Sequence, residues 1–164
     1  MQLITHLLIG VIIQILCFKY FILPFNLLLT IVFAFLSHFI VDMFAKITYH
    51  TPDPQKGDKF WLSWHIFSYG SGIIALIILY PYIIGIIFAN FVDLIDWLIL
   101  RPLDKKRNEN RTVDYKKSYF FHNFIDKLRE KLLFWLPNWN YKKYAIIPEI
   151  IIITTLGILI YYLI

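Results

Sequence analysis

The stretch FNLLLTIVFAFLSHFIVDMFA, residues 25–45, decides the fold class of this chain. A helix needs about 20 mainly apolar residues to cross a bilayer core of about 30 Å, and this stretch is long enough. It carries two ionisable side chains, His38 and Asp42, both close to its end. Ionisable groups within a span are costly and usually mark function. The stretch therefore predicts a transmembrane helix with a functional site near one end.

Four further stretches have the same apolar character, at residues 3–18, 61–80, 83–100 and 144–164. The chain of 164 residues is 59% hydrophobic, whereas soluble domains contain about 45–50% apolar residues. This composition excludes an ordinary soluble protein. It predicts one all-α integral membrane domain, residues 1–164, with about five transmembrane helices. The single Cys17 excludes a disulfide framework and a zinc site made of cysteines.

The basic residues predict the orientation of the spans. The loop at residues 101–117 holds seven of them, and the loop after the second span adds three. Only Lys19 lies between the first two spans, and none lies between the third and fourth. By the positive-inside rule, the N-terminus and both polar loops are expected in the cytosol and the C-terminus on the opposite side. The net charge of +5 is accounted for by these loops, and nucleic acid is not an expected partner.

Residues 118–136 predict a different kind of helix. Its apolar residues recur at helical spacing on one face, and His122, Asp126, Arg129 and Glu130 occupy the opposite face. This pattern is typical of an amphipathic helix that lies in the cytosolic interface, with Pro137 ending it.

The ionisable residues of the apolar spans collect on one side of the predicted membrane. Each lies near the cytosolic end of a span, and the interfacial helix adds one histidine. The candidate site residues are His6, His38, Asp42, Asp93, Asp96 and His122.

Spacing gives these residues a chemical interpretation. His38 and Asp42 are four apart, so they share a helix face, and His122 and Asp126 repeat this spacing. Asp93 and Asp96 are three apart, and carboxylates that close repel each other unless a cation or proton lies between them. Imidazole and carboxylate ligands suit a divalent metal ion, with zinc or manganese favoured here.

Each residue also has an alternative explanation. His38 and Asp42 could be a buried hydrogen-bonded pair, and Asp93 and Asp96 could be solvated among the headgroups. His65, beside Trp61 and Trp64, is equally well explained as an interfacial anchor. For the remaining polar residues a solvated or interfacial position is the simpler interpretation: His50, Asp53, Asp58, Asp126 and Glu149.

Three segments resemble a known family. They are THLLIG (residues 5–10), FLSHFIVDMF (residues 35–44) and FVDLIDW (residues 91–97), with FHNFID (residues 121–126) as a further piece. They are similar to small multi-span inner-membrane proteins described as metal-dependent hydrolases. The acidic pair departs from the tight P-D-x-D-H of that family, and a second histidine near His122 is missing. The resemblance implies metal ligands at His6, His38, Asp42, Asp93, Asp96 and His122.

The sequence leaves three functions open. The first is a metal-dependent hydrolase at the cytosolic leaflet acting on a phosphoester or lipid-like substrate. In it His6, His38, Asp42 and Asp93 bind the metal, and Asp96 or His122 is the catalytic base or a further ligand. The second is a transporter or channel for a cation or proton, and the third is a non-catalytic membrane scaffold with a structural metal. Membrane lipid is the expected partner in all three.

Overall fold

The computed structural model describes residues 1–51, 57–100, 102–103 and 120–164. Within them the chain forms helices and no strand, which confirms the all-α prediction for this part of the chain. The basic loop predicted at residues 101–117 lies almost entirely outside the described residues. The helices are α1 (Leu3–Tyr20), α2 (Phe25–Phe44), α3 (Lys59–Ile78), α4 (Ile83–Ala89), α5 (Phe91–Leu100), α6 (Phe120–Leu132) and α7 (Ile146–Leu163).

Four of these helices are long and apolar enough to span a membrane. The number of spans is five if the bent pair of α4 and α5 together counts as one span. The sequence predicted a continuous fourth span at residues 83–100. Instead the chain bends by 59° between Ala89 and Phe91, and the Leu94–Leu100 part of α5 has the wider turns of a π-helix. Such widened turns are rare and are often found at functional sites.

Helix α1 is the centre of the bundle. Of its apolar window 61% is buried, compared with 28%, 17% and 11% in the spans that contain α2, α3 and α7. Its closest neighbour is α4, because Gly10 and Gly85 face each other where the two helices meet. A Cβ placed on Gly10 would lie only 2.3 Å from the Gly85 carbonyl oxygen. Glycine at both positions therefore permits an approach that any other residue would prevent.

Contacts between helices define one end of the bundle as the site end. There α1 and α7 begin, α2 ends and the middle of α3 lies beside them, as shown by contacts of Gln2 with Tyr49, Ser68 and Glu149. The α4–α5 pair runs antiparallel to α1, since Pro81 and Gly85 contact Gln14 and Asp93 lies among residues of the site end. Parts of α1, α2, α3, α5 and α7 thus meet in one layer. Which side of the membrane this layer faces stays a prediction from the charged loops.

Helix α6 lies across the site end. The Arg129 guanidinium donates to the Asp42 carbonyl oxygen at 2.7 Å, and Lys46 donates to the Leu133 carbonyl oxygen at 3.1 Å. Within α6, the side chain of Ile125 is buried, whereas those of Phe124 and Leu132 are about half exposed. The helix is amphipathic, as predicted. His122 does not lie on its solvent face, however, and points into the bundle.

Candidate metal centre

Asp42 is the centre of a buried cluster of histidines and carboxylates. Its Oδ1 atom lies 3.1 Å from His6 Nε2, and its Oδ2 atom lies 3.4 Å from His38 Nε2 and 3.4 Å from His122 Nε2. The amino group of Met1 also contacts Oδ1. Helical spacing places His38 one turn before Asp42 on α2, and α1 and α6 bring the other two imidazoles to the same carboxylate.

Asp93 is the second carboxylate of the cluster. Its Oδ1 atom lies 3.1 Å from His122 Nε2 and 3.8 Å from His38 Nε2. The side chain of Asp93 is 28% exposed and that of His122 is 21% exposed, whereas the other members are almost fully buried. The cluster therefore opens on the side formed by Asp93 and His122.

The ring of His38 is oriented by the break between α4 and α5. His38 Nδ1 lies 2.8 Å from the Ala89 carbonyl oxygen, which can only accept, so Nδ1 carries the proton of that hydrogen bond. In the neutral imidazole, Nε2 then presents its lone pair to Asp42 and Asp93. Nε2 is buried and has no hydrogen-bond partner. A lone pair facing two carboxylates is unfavourable unless a proton or metal ion lies between them.

Asp96 orients His122 in the same way. Asp96 Oδ2 lies 2.6 Å from His122 Nδ1 and accepts the backbone N–H of His122 at 3.0 Å, and Oδ1 accepts the N–H of Phe121 at 3.4 Å. These amides belong to the first turn of α6, where backbone N–H groups lack helical partners. Asp96 thus holds the start of α6 and directs His122 Nε2 toward the cluster.

The carboxylates favour positive charge at this place. Burial lowers the pKa of His122, but hydrogen bonds to Asp42, Asp93 and Asp96 outweigh it and raise the pKa to about 11. The same groups act on His50, which the sequence had left in a polar loop. Burial and the positive amino terminus lower the pKa of His50 to about 3, against a smaller opposing effect of Asp42 and Asp93. His50 therefore lies near the cluster, which its position in the sequence did not reveal.

Donor atoms of His38, Asp93 and His122 all lie within 4.8 Å of one another, which is close enough to hold a metal ion. Nitrogen and oxygen ligands about 2.0–2.1 Å from zinc, at tetrahedral corners, are about 3.3–3.4 Å from one another. The four separations that join a histidine nitrogen of His38 or His122 to a carboxylate oxygen of Asp42 or Asp93 are 3.1, 3.4, 3.4 and 3.8 Å. Donor atoms of His6, His38 and Asp42 form a second close group. The His6 and His38 rings are stacked with centroids 4.1 Å apart. Buried groups that can hold a metal ion are therefore present.

All six candidate residues of the sequence thus lie together, but within the described part of the chain Asp96 contacts the cluster through His122 and not directly. Other polar residues lie elsewhere. His65 stacks on Trp61 at 4.1 Å, Asp58 accepts the N–H groups that begin α3, and Asp126 pairs with Arg129 at 2.8 Å. Asp53 lies outside the described residues.

Two contributions to the site end were missed by the sequence interpretation. The Ala89 carbonyl oxygen is available only because the helix breaks after it, and no residue pattern marks such a backbone group. Glu149, expected at the interface, is fully buried and accepts hydrogen bonds from Gln2 and Thr5 at the start of α1. The sequence signal for this burial was the position of a carboxylate in the first turn of an apolar helix.

Comparisons of the chain with family models, with curated proteins and with solved structures returned no match.

Proposed function

We propose that this chain is a membrane-embedded, metal-dependent hydrolase whose His/Asp cluster binds a divalent ion at the cytosolic face. The observation that carries the proposal is two close groups of three donor residues that share His38, with the imidazoles of His38 and His122 already oriented by Ala89 and Asp96. Carbonyl and carboxylate partners of this kind fix the rings of metal-binding histidines. Two nitrogen and two oxygen donors suit zinc, with manganese as the alternative.

The geometry refines the roles expected from the sequence. His122 is assigned as a ligand together with His38, Asp42 and Asp93, because its Nε2 atom faces both carboxylates. His6 Nε2 lies 3.1 Å from Asp42 Oδ1 and the His6 ring stacks on His38, so His6 holds that carboxylate or serves a second ion. Asp96 is assigned as a positioning residue, because it is fully buried and its oxygens already accept three N–H groups. A catalytic base must reach the proton that it abstracts, and the fully buried Asp96 does not face the exposed side of the cluster.

A substrate would approach the cluster from its exposed side. Asp93 and His122 form that side, and the basic residues 101–117 follow directly after α5 in the chain. Such a segment attracts anionic headgroups. A bound divalent ion would supply a water of lowered pKa and polarise a phosphoryl or carbonyl oxygen. A phosphoester or lipid-like molecule is therefore the proposed substrate class.

Elemental analysis of the purified full-length protein tests metal binding. The wild type is expected to hold a stoichiometric divalent ion, and His38→Ala and Asp93→Ala are expected to lose it. His65→Ala is the matched control, since His65 is also a histidine of the site end but lies outside the cluster. Protein prepared with ample zinc and manganese that contains neither ion would refute the proposal. Hydrolysis is then assayed with the metal-loaded protein on a fluorogenic phosphoester and on phospholipid vesicles.

A structural metal is the second candidate. If Asp42 joined His38, Asp93 and His122 on one ion, four protein ligands would fill a tetrahedral shell, as is typical of structural zinc sites. One ligand comes from α6, so an ion would fasten that helix to α2 and α5. This candidate expects bound metal without hydrolysis of either substrate, together with faster proteolysis of α6 after chelation.

A transport pathway receives less support from the described residues. Transport needs polar groups at mid-depth that can bind a moving ion. Gln14 instead uses its amide on the Pro81 carbonyl oxygen and the Gly85 N–H group, at 3.3 and 2.8 Å. Thr30 donates to the Asn26 carbonyl oxygen at 2.7 Å. Both side chains satisfy backbone groups inside the bundle, so the cluster at the site end is favoured as the place of function.

A further inference from the structure

The donor atoms of the cluster form two groups with different exposure. The inner group consists of His6, His38 and Asp42, and the outer group consists of His38, Asp93 and His122. Within each group the donor atoms lie within 4.8 Å of one another. The side chains of the inner group are at most 4% exposed, whereas those of Asp93 and His122 are 28% and 21% exposed. An ion that enters through the exposed side therefore reaches the outer group first.

His38 belongs to both groups but has one nitrogen to offer to a metal ion. Its Nδ1 atom lies 2.8 Å from the Ala89 carbonyl oxygen and donates to it, so Nε2 is the atom with a free lone pair. Nε2 is buried and has no hydrogen-bond partner. Because one lone pair binds one ion, the inner and outer groups cannot both hold a complete set of three ligands at the same time.

Asp42 connects the two groups through its two carboxylate oxygens. Oδ2 lies 3.4 Å from both His38 Nε2 and His122 Nε2, and Oδ1 lies 3.1 Å from His6 Nε2. The stacked rings of His6 and His38 have centroids 4.1 Å apart. An ion that moves from the outer to the inner group therefore exchanges Asp93 and His122 for His6, while His38 and Asp42 stay close to it.

We infer that one divalent ion has two alternative positions in this cluster. The outer position is the metal centre of the proposed function, on which this inference rests, and the inner position lies between His6, His38 and Asp42. An ion at the outer position faces the exposed side, where it can meet a substrate. An ion at the inner position is enclosed by buried side chains, so it exchanges slowly with solvent and is inactive. The inner position thus stores the ion.

The step from the outer to the inner position has an identifiable obstacle. The amino group of Met1 contacts Asp42 Oδ1, the oxygen that faces His6. Its positive charge opposes a divalent ion at the same oxygen. The amino group therefore has to lose its proton or turn away before the ion is held there. For this reason the inner position is expected to fill more slowly than the outer one.

Release of zinc to an excess of chelator tests the inference on the full-length protein in detergent. After brief loading with zinc, the wild type is expected to release one ion per protein in a single fast phase. After prolonged loading, a slow phase is expected to replace most of the fast one, with the total still one ion. A single phase of the same rate after both loading times would overturn the inference. Two ions per protein that are both lost in His38→Gln would also overturn it, because both groups would then be filled at once.

These outcomes differ from failure of the proposed function. A wild-type protein that binds no zinc would refute the proposed metal centre itself. One bound zinc ion with a single release phase would refute only the inner position.

Three histidine variants identify the residues behind each phase. His6→Gln keeps an N–H group that can donate to Asp42 but removes the ring nitrogen, so it is expected to lose the slow phase and keep the fast one. His38→Gln is expected to lose both phases, because His38 is shared. His65→Gln is the matched control outside the cluster and is expected to keep both phases.

Either of two results with His6→Gln would contradict the two positions. An unchanged slow phase would show that His6 does not hold the ion, and loss of both phases would show that His6 belongs to a single site with His38. If His6→Gln does not fold, the comparison of loading times in the wild type still decides the inference.

Discussion

Replacing Gly10 with alanine is expected to weaken metal binding, although Gly10 has no donor atom and lies one turn from His6. A Cβ at this position would lie 2.3 Å from the Gly85 carbonyl oxygen, 2.6 Å from its carbon and 2.9 Å from Ala89 Cβ. Ordinary contacts begin at 3.4 Å, so α4 must move by about 1 Å. Overpacking of this kind costs about 1–3 kcal/mol of stability.

The displacement reaches the cluster through Ala89. The carbonyl oxygen of Ala89 orients His38, and Asp93 follows four residues later on the same bent segment. Loss of an outer partner of a ligating histidine typically costs about 10–100-fold in metal affinity. We therefore expect Gly10→Ala to unfold at lower temperature and to bind zinc at least tenfold more weakly than the wild type.

Zinc titration and thermal unfolding in the same detergent measure both effects. Gly85→Ala is expected to behave like Gly10→Ala, because its Cβ would lie 2.1 Å from the Gly10 carbonyl oxygen. Gly70→Ala is the control, since a Cβ there meets open space. A Gly10→Ala protein with the stability and zinc affinity of the wild type would refute the coupling between the helix crossing and the site. Lower stability with unchanged zinc affinity would confine the effect to packing.

Three further changes probe the surroundings of the cluster. Asp96→Asn leaves one acceptor oxygen for His122 and the amides of α6, so zinc affinity should fall about 10–100-fold. The control Asp126→Asn, on the exposed face, should bind zinc like the wild type. Equal zinc affinities of the two variants would contradict the role of Asp96. Arg129→Gln removes a charged hydrogen bond to the Asp42 carbonyl oxygen, which is worth about 1.5–3 kcal/mol, so amide hydrogen exchange in α6 should accelerate. Unchanged exchange would show that other contacts hold α6. The pKa of His50 falls from 6.5 to about 3 on folding, so the unfolded chain binds the extra proton between these values and stability should decrease as the pH falls from 6.5 toward 3. In His50→Asn, thermal unfolding should depend less on pH over that range, and an unchanged dependence would assign it to other groups.

The sequence predicted the coarse fold because apolar length is a local property. Residues 25–45 and 144–164 form helices within a few residues of the expected limits, since a bilayer-spanning helix satisfies its own backbone groups. The bend at Asn90 was missed, because it depends on how α4 packs against Gly10 and Gln14. The run IIGIIFANF contains Gly85 and Asn90, which form helices poorly, but glycine is also common in membrane helices, so the run did not distinguish a bent span from a straight one.

The same distinction applies to the cluster. His38 and Asp42 could be paired from their spacing on one helix, and the topology placed His6 and Asp93 in the same layer. The roles of Asp96 and His122 could not be separated from the sequence. They depend on the fact that Asp96 contacts His122 Nδ1, whereas Asp42 and Asp93 contact His122 Nε2. His50 and Glu149 were underestimated for a related reason. Their burial is created by contacts with distant segments.

The pairing of Asp42 with His6 and His38 also bears on how the chain enters the membrane. A lone aspartate at the centre of a span costs about 2.5–3.5 kcal/mol during insertion. Here α1 and α2 are joined by only four residues, 21–24, and form a hairpin. His6 and His38 precede Asp42 in the chain, so both histidines emerge from the ribosome before it. The first hairpin therefore contains hydrogen-bonding partners for its own carboxylate before Asp93 and His122 are synthesised. Insertion of the hairpin can precede assembly of the rest of the protein.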